Sequence, residues 1–520
     1  MQTRVLLLTL LALGAAPPSA GRDDPTDALR IWTATFERGR RALDGEREAE
    51  LRAILMELRT FSAAGLEQSQ ASLLSLFDLY GAGHAAAREL ERERALAGER
   101  VLALAESEAE PLIDKGLSKW VASEVLVRRE GPSAERRAAA ALVMRNRRTG
   151  EVRLALAVCA RDPDALVREA AWEALIGWDF EAAHTLYLEA LLAEDTSSSA
   201  ALRAAAEAHF GQVSLPLGSR AEGPLLEIVR AGLESEDWRR ASWATALSHA
   251  LADRLAVPVL VAALERWMDR ALSGAPVRRV QNEVVLALQD RSGRRIGPHP
   301  ERWKTWWAAV EAGDVEPRRG EDDPPETRAG FFGLRPVTDR VTFVIDRSGS
   351  MNLPFTGNPL EGGVRSRYQE AAEQMQKFLE GLGERTRFNV VVFSDGADAW
   401  RANLAQASPA SLKEATSWLL RRRPEGGTQL RHGVERAVRL RLDGSVDLEH
   451  LETDTIIVLC DGQTAEGLAW VRPLLRRINH EARLVIHCVQ IGGEGDGTLE
   501  LMAELTGGEF IQVQPEGDGG

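Results

Sequence analysis

The run Asp346-Arg347-Ser348-Gly349-Ser350-Met351 sets one carboxylate and two hydroxyls at alternate positions, directly after the apolar stretch Val341-Thr342-Phe343-Val344-Ile345. Three hard oxygens offered to one point suit a small divalent cation. Gly349 permits a tight backbone between the two serines. Asp-x-Ser-x-Ser is a weak signal alone, because Ser and Asp are common turn residues. Two further loops strengthen it. Gly426-Gly427-Thr428 precedes a helical stretch and offers a third hydroxyl, and Asp461-Gly462 follows the apolar run 456–460 and offers a second carboxylate.

These loops can meet only if the elements before them lie side by side. From residue 331 the pattern alternates strands and helices: strands at 341–345, 388–393, 456–460, 484–491 and 510–513, with 399–404 folding back at an edge. Helices are expected at 368–382, 411–421, 429–440, 469–478 and 499–505. Alternation of this kind means a doubly wound α/β domain, a parallel sheet covered on both faces. Ligands in such folds bind at the carboxyl ends of the strands, where all three loops fall.

In order and context, Asp346, Ser348, Ser350, Thr428 and Asp461 resemble the five ligands of the metal-ion-dependent adhesion site of von Willebrand factor A domains. Phe393-Ser394-Asp395 and Leu505-Thr506-Gly507-Gly508 are also similar to that family, and the resemblance spans most of residues 340–513. It implies a Rossmann-like fold and a Mg2+, or another divalent cation such as Mn2+. Ser348 and Ser350 would hold the ion directly with Thr428 as a further donor, and Asp346 and Asp461 would act partly through water. It also implies an open coordination position for an acidic group of a protein partner. Two features depart from the family pattern. A long Gly- and Pro-containing segment, 352–366, follows the first motif, and Gln463-Thr464 stands where a proline-bearing turn is often found.

Catalytic sets are scarce. His480-Glu481 begins like a zinc protease helix, but position 484 is Leu484 rather than histidine. The sequence holds no phosphate-binding Gly-x-x-x-x-Gly-Lys-Ser/Thr and no Gly-x-Ser-x-Gly elbow. The glycine-rich 492–497 lacks dinucleotide spacing, and His432 stands alone near Thr428. Hydrolysis by a metal-bound water between Asp346 and Asp461 lacks an evident base or leaving-group partner. The expectation is a binder rather than an enzyme.

The rest of the chain is built differently. Residues 1–21 have the make-up of a signal peptide: Arg4, an apolar run at 5–16, then small residues before a cut after Ala20 or Gly21. Export to the periplasm, cell envelope or medium is therefore expected, with no membrane span once the signal is removed. Residues 22–132 form a helical region. Between 133 and 312, Arg-x-x-Ala-x-x-Ala-like stretches recur near Arg137, Arg168, Arg203, Arg240 and Arg279, close to the period of two-helix solenoid units. The stretch 162–175 resembles a HEAT repeat, and the tryptophans at 303, 306 and 307 are expected to cap the last unit. Residues 313–330 form a proline-, glycine- and charge-rich linker, and 331–520 the α/β domain.

At 520 residues the chain is long enough for two or three domains. A net charge of -14 argues against nucleic acid as the main partner. Three cysteines, Cys159, Cys460 and Cys488, exclude a disulfide-dense scaffold and are expected as buried thiols. Together these features predict an exported adhesion or scaffold protein. Its cation would capture a partner's exposed Asp or Glu, and its helical repeats would offer a second protein-binding surface. The alternative is a scaffold working through the solenoid alone, with the metal site unused.

Overall fold

The computed structural model describes residues 115–514 except 129–130, 194–198, 273–277, 314–330, 335, 357–364, 383–384, 442–444, 463, 466, 469 and 493–494, together with Leu74, Phe77 and Asp78. The expected signal peptide, nearly all of the expected linker, and Gln463 lie outside the described residues. The chain divides into two compact units between Leu225 and Leu226.

The elements among the described residues of the first unit are helices: α1 (Lys115–Trp120), α2 (Ala134–Val143), α3 (Gly150–Cys159), α4 (Ala165–Ala174), α5 (Glu181–Leu192) and α6 (Ser199–Phe210), with α7 (Glu222–Glu234) crossing into the second. Arg137, Arg168 and Arg203 of the recurring stretches fall early in α2, α4 and α6. Short side chains on α2 and α4, among them Ala138, Ala141, Ala170 and Ala171, are buried to 0% exposure and let neighbouring helices approach. Asp164 caps α4 by accepting from the Leu166 N–H at 2.9 Å, a contact worth about 1 kcal/mol. Buried Asp162 accepts from the Asp164 N–H at 3.0 Å and pairs with Arg137 on α2, which joins successive stretches.

The second unit continues with α8 (Trp238–Leu247), α9 (Asp253–Leu272), α10 (Arg278–Ser292) and α11 (Pro300–Glu311). Trp303 and Trp306 of α11 are buried and meet edge to face at 5.6 Å.

The sheet lies in the same unit. Its strands are β1 (Arg340–Asp346), β4 (Arg387–Phe393), β5 (Ala397–Ala399), β6 (Ala405–Gln406), β7 (Thr455–Cys460), β8 (Val485–Ile491) and β9 (Phe510–Val513), while β2 (Pro354–Thr356) and β3 (Arg365–Ser366) form a small separate hairpin. The order is β5-β4-β1-β7-β8-β9, with β6 also paired to β4. All neighbours run parallel except β5 and β6, which fold back antiparallel on β4. The helices are α12 (Arg367–Leu382), α13 (Pro409–Leu420), α14 (Leu430–Ala437), α15 (Val471–Ala482) and α16 (Thr498–Thr506). On one sheet face Val341, Phe343 and Ile345 join Phe388, Val390 and Ile457, closed by Met375, Phe378 and Leu379 of α12. Burial of each large side chain there contributes about 2 kcal/mol.

Two sequence expectations change. The edge hairpin begins earlier than 399, because Ser394, Asp395 and Gly396 turn the chain directly after β4 and Ala397 already pairs with Phe393. Helix α14 ends at Ala437 rather than near Leu440, since Arg439 takes a left-handed backbone with φ 56°. All three cysteines are buried and free, and Cys460 and Cys488 lie on the adjacent strands β7 and β8.

Candidate metal centre

The chain passes from β1 to β4 on one side and later to β7 on the other, so the carboxyl end of β1 is a topological switch point. Asp346 is the last residue of β1, and Asp461 directly follows β7. The register pairs Ile345 with Leu459, which brings these two strand ends level.

Asp346 is fully buried. One of its oxygens accepts from the Ser348 N–H at 2.6 Å, and the other accepts from the Cys460 thiol at 3.1 Å. Ser348 Oγ and Ser350 Oγ lie 3.0 Å apart. Ser350 sits in the 3-10 turn Gly349–Asn352 and its hydroxyl donates to Asp461. Asp346, Ser348, Ser350 and Asp461 are thus linked in one cluster.

Thr428 stands half-buried, two residues before α14, and its side chain makes no hydrogen bond among the described residues. Backbone bonds lace its loop to the others. Gly349 N–H donates to Gly426 O at 3.2 Å, Glu425 N–H to Arg347 O at 2.8 Å, and Ala465 N–H to Thr428 O at 3.0 Å. Asp395, in the turn after β4, accepts from the Gly427 N–H at 2.9 Å. Gly426 has φ +83°, and a Cβ there would stand 2.5 Å from an Asp395 carboxylate oxygen, so the loop needs glycine for both conformation and space.

Burial first, and then the Asp461 charge, raise the Asp346 carboxyl, while the Ser348 N–H and the Cys460 thiol act in the opposite sense, and the balance lies at about 6. Burial and the two carboxylates push the Cys460 thiol well above its ordinary range. Arg347 does not neutralise the pair. Its guanidinium turns away to Ser394 Oγ, Arg423 O and Glu425. Among the described residues neither Asp346 nor Asp461 forms a salt bridge. Two hydroxyls and two uncompensated carboxylates facing one point fit a hard divalent cation, for which oxygen donors and net negative charge are the requirement.

The von Willebrand factor type A family model matches residues 340–510. Residues 340–510 are a von Willebrand factor type A domain. Human inter-alpha-trypsin inhibitor heavy chain H4 is 30% identical over 192 residues, 36% of this chain and 19% of that protein. Mouse inter alpha-trypsin inhibitor heavy chain 4 is 34% identical over 137 residues, 26% of this chain and 13% of that protein. The chain therefore spans under a fifth of the length of these relatives. Among solved structures, a von Willebrand factor type A protein from Catenulispora acidiphila is 19% identical over 35% of this chain and 40% of its own, with a TM-score of 0.27. Mussel byssus proximal thread matrix protein 1, solved with a zinc-occupied metal site, is 25% identical over 33% of this chain and 40% of its own, with a TM-score of 0.25.

Within the A-type domain, two residues join the site that sequence reasoning did not assign to it. Cys460 bonds the buried carboxylate, and Asp395 holds the glycine loop. The sequence carried a signal for both, since Cys460 closes a strand and Asp395 follows one next to a site loop, but only the tertiary structure shows what they touch.

Proposed function

We propose that this protein is an exported, non-enzymatic binding protein whose A-type domain captures an acidic side chain of a protein partner through a divalent cation, Mg2+ in the first instance. The observation that carries the reading is the cluster of Asp346, Ser348, Ser350 and Asp461, with two carboxylates lacking any salt-bridge partner among the described residues. Ser348, Ser350 and Thr428 would hold the ion with their hydroxyls, and Asp346 and Asp461 would orient them and supply negative charge. When bound, the cation supplies an open position for a carboxylate. Few protein charges act directly on it, which preserves its attraction for the partner's acid.

The helical repeats, of the HEAT-like kind, offer a second surface in this proposal. Leu154 and Val158 lie one turn apart on α3 and are 68% and 41% exposed, an apolar pair such as a partner covers. Export rests on the basic and apolar opening of the sequence. Among the described residues no helix is long and apolar enough to cross a membrane.

The test is thermal unfolding of the full chain with Mg2+ or with chelator, for wild type and Asp346→Ala. At about a hundred times Kd, an ion stabilises the folded state by roughly 2.7 kcal/mol. A rise in Tm of a few degrees in wild type, lost in Asp346→Ala, supports the site. An identical melting curve with and without Mg2+ rejects it.

A further inference from the structure

The A-type domain carries a second opening, away from the metal centre, with a volume of about 370 Å³. Its floor is the sheet face opposite the phenylalanine core. Thr342 of β1 and Asn389 of β4 are register partners there, a polar pair on strands whose neighbouring positions are Val344 and Val391. Helix α14 covers the sheet just above them. Gly433 sets it so close that a Cβ would lie 2.8 Å from Val344 and 2.9 Å from Phe393. The helix then stops at Ala437, and Arg439, in its left-handed conformation, turns the chain outward and leaves the Thr342–Asn389 pair under an opening.

The charges around this opening do not balance. Every lining carboxylate has an arginine partner: Glu435 with Arg431 at 3.0 Å, Asp447 with Arg441 at 2.8 Å, and Glu452 with Arg387 at 3.1 Å. Arg401 pairs with Glu414 at 2.7 Å. Two guanidiniums remain. Arg439 donates to His450 O, Ala402 O and Asn403 Oδ1, all uncharged acceptors. Arg436 is exposed at the rim, and its side chain meets no carboxylate among the described residues. Guanidiniums over a polar floor recognise oxyanions, because their N–H groups match carboxylate and phosphate oxygens. The volume lies at the lower end of the roughly 300–1,000 Å³ of small-molecule sites.

We propose that this cavity binds a small organic oxyanion, bearing a carboxylate or phosphate group, which Arg436 and Arg439 hold against the Thr342–Asn389 floor. The site is independent of the metal centre and does not rest on its assignment.

The test is calorimetric titration of the full chain with citrate and with inorganic phosphate, in the presence of chelator, with sodium chloride at matched ionic strength as control. Saturable binding of either anion is expected, preferring citrate if the natural ligand is a carboxylate and phosphate if it is a phosphate ester. Arg436→Gln should weaken it by about tenfold, the loss of one charge-assisted contact. Thr342→Val, nearly isosteric, should weaken it by a smaller factor, and Asp346→Ala should leave it unchanged. Absence of saturable binding, equal affinity in Arg436→Gln, or loss in Asp346→Ala overturns the proposal. Circular dichroism of each variant separates lost binding from lost fold.

Discussion

The Cys460 thiol donates to a carboxylate oxygen of Asp346 at 3.1 Å, and both side chains are fully buried at the carboxyl ends of adjacent parallel strands. A neutral donor thus supports an acid whose ionised form is disfavoured by burial and by the neighbouring Asp461 charge.

One consequence concerns pH. A cation needs the Asp346 carboxylate, and burial holds that carboxyl at about 6, so a proton competes with the ion below that value. Mg2+ affinity should be nearly constant above pH 7 and fall by up to about tenfold per pH unit below 6. Cys460→Ala removes a bond that favours the ionised form, which moves the fall to higher pH. Calorimetric titration between pH 5 and 8 measures both; a flat profile in wild type sinks the argument.

A second prediction concerns the helices that share a compact unit with the A-type domain. Arg239 of α8 donates to Leu451 O at 2.6 Å, Arg279 of α10 to Asp454 O at 3.3 Å, and Arg483, just after α15, to Ser242 Oγ at 2.9 Å. Hydrogen bonds from charged groups are worth about 1.5–3 kcal/mol. Arg239→Ala should lower the stability of helices α8–α10 and of the sheet together, by about that amount. Hydrogen exchange followed peptide by peptide reads it; loss of protection confined to α8 contradicts this expectation.

The third lies in the first helical unit. His184 Nδ1 and His209 Nε2 are 3.0 Å apart in a buried cluster, with His209 stacked on Tyr187. Burial, and next the neighbouring His184, lower the His209 pKa to about 3. In the unfolded chain it titrates near 6.5, so between pH 3 and 6.5 the unfolded state binds the extra proton. The unit should hold its full stability above 6.5 and lose up to about 1.4 kcal/mol per pH unit as pH falls below that. Exchange protection of α5 and α6 at pH 7 and pH 5 tests this, and His209→Phe should flatten the difference. Equal protection at both values in wild type rules it out.

Much of this was legible in the residues. Strand-length apolar runs separated by amphipathic helices fix a doubly wound sheet, because such strands must be covered on both faces. That fold sends Asp346, Ser348, Ser350 and Asp461 to the same edge without knowledge of any distance. The recurring Arg-Ala stretches likewise mark helices through their spacing and their Asp and Ser caps.

What the sequence alone could not decide depends on residues far apart in the chain. Arg436, Arg439, Thr342 and Asn389 have no common motif, and their meeting follows from the strand register and the point where α14 stops. Periodicity carried α14 past its true end, because the left-handed turn at Arg439 is held by contacts to Ala402, Asn403 and His450 rather than by local preference. The grouping of α8–α11 with the sheet was equally hidden, since a proline-rich stretch in sequence says nothing about which surfaces pack. Local patterns settle which elements form; side-chain contacts between distant segments settle which residues share a site.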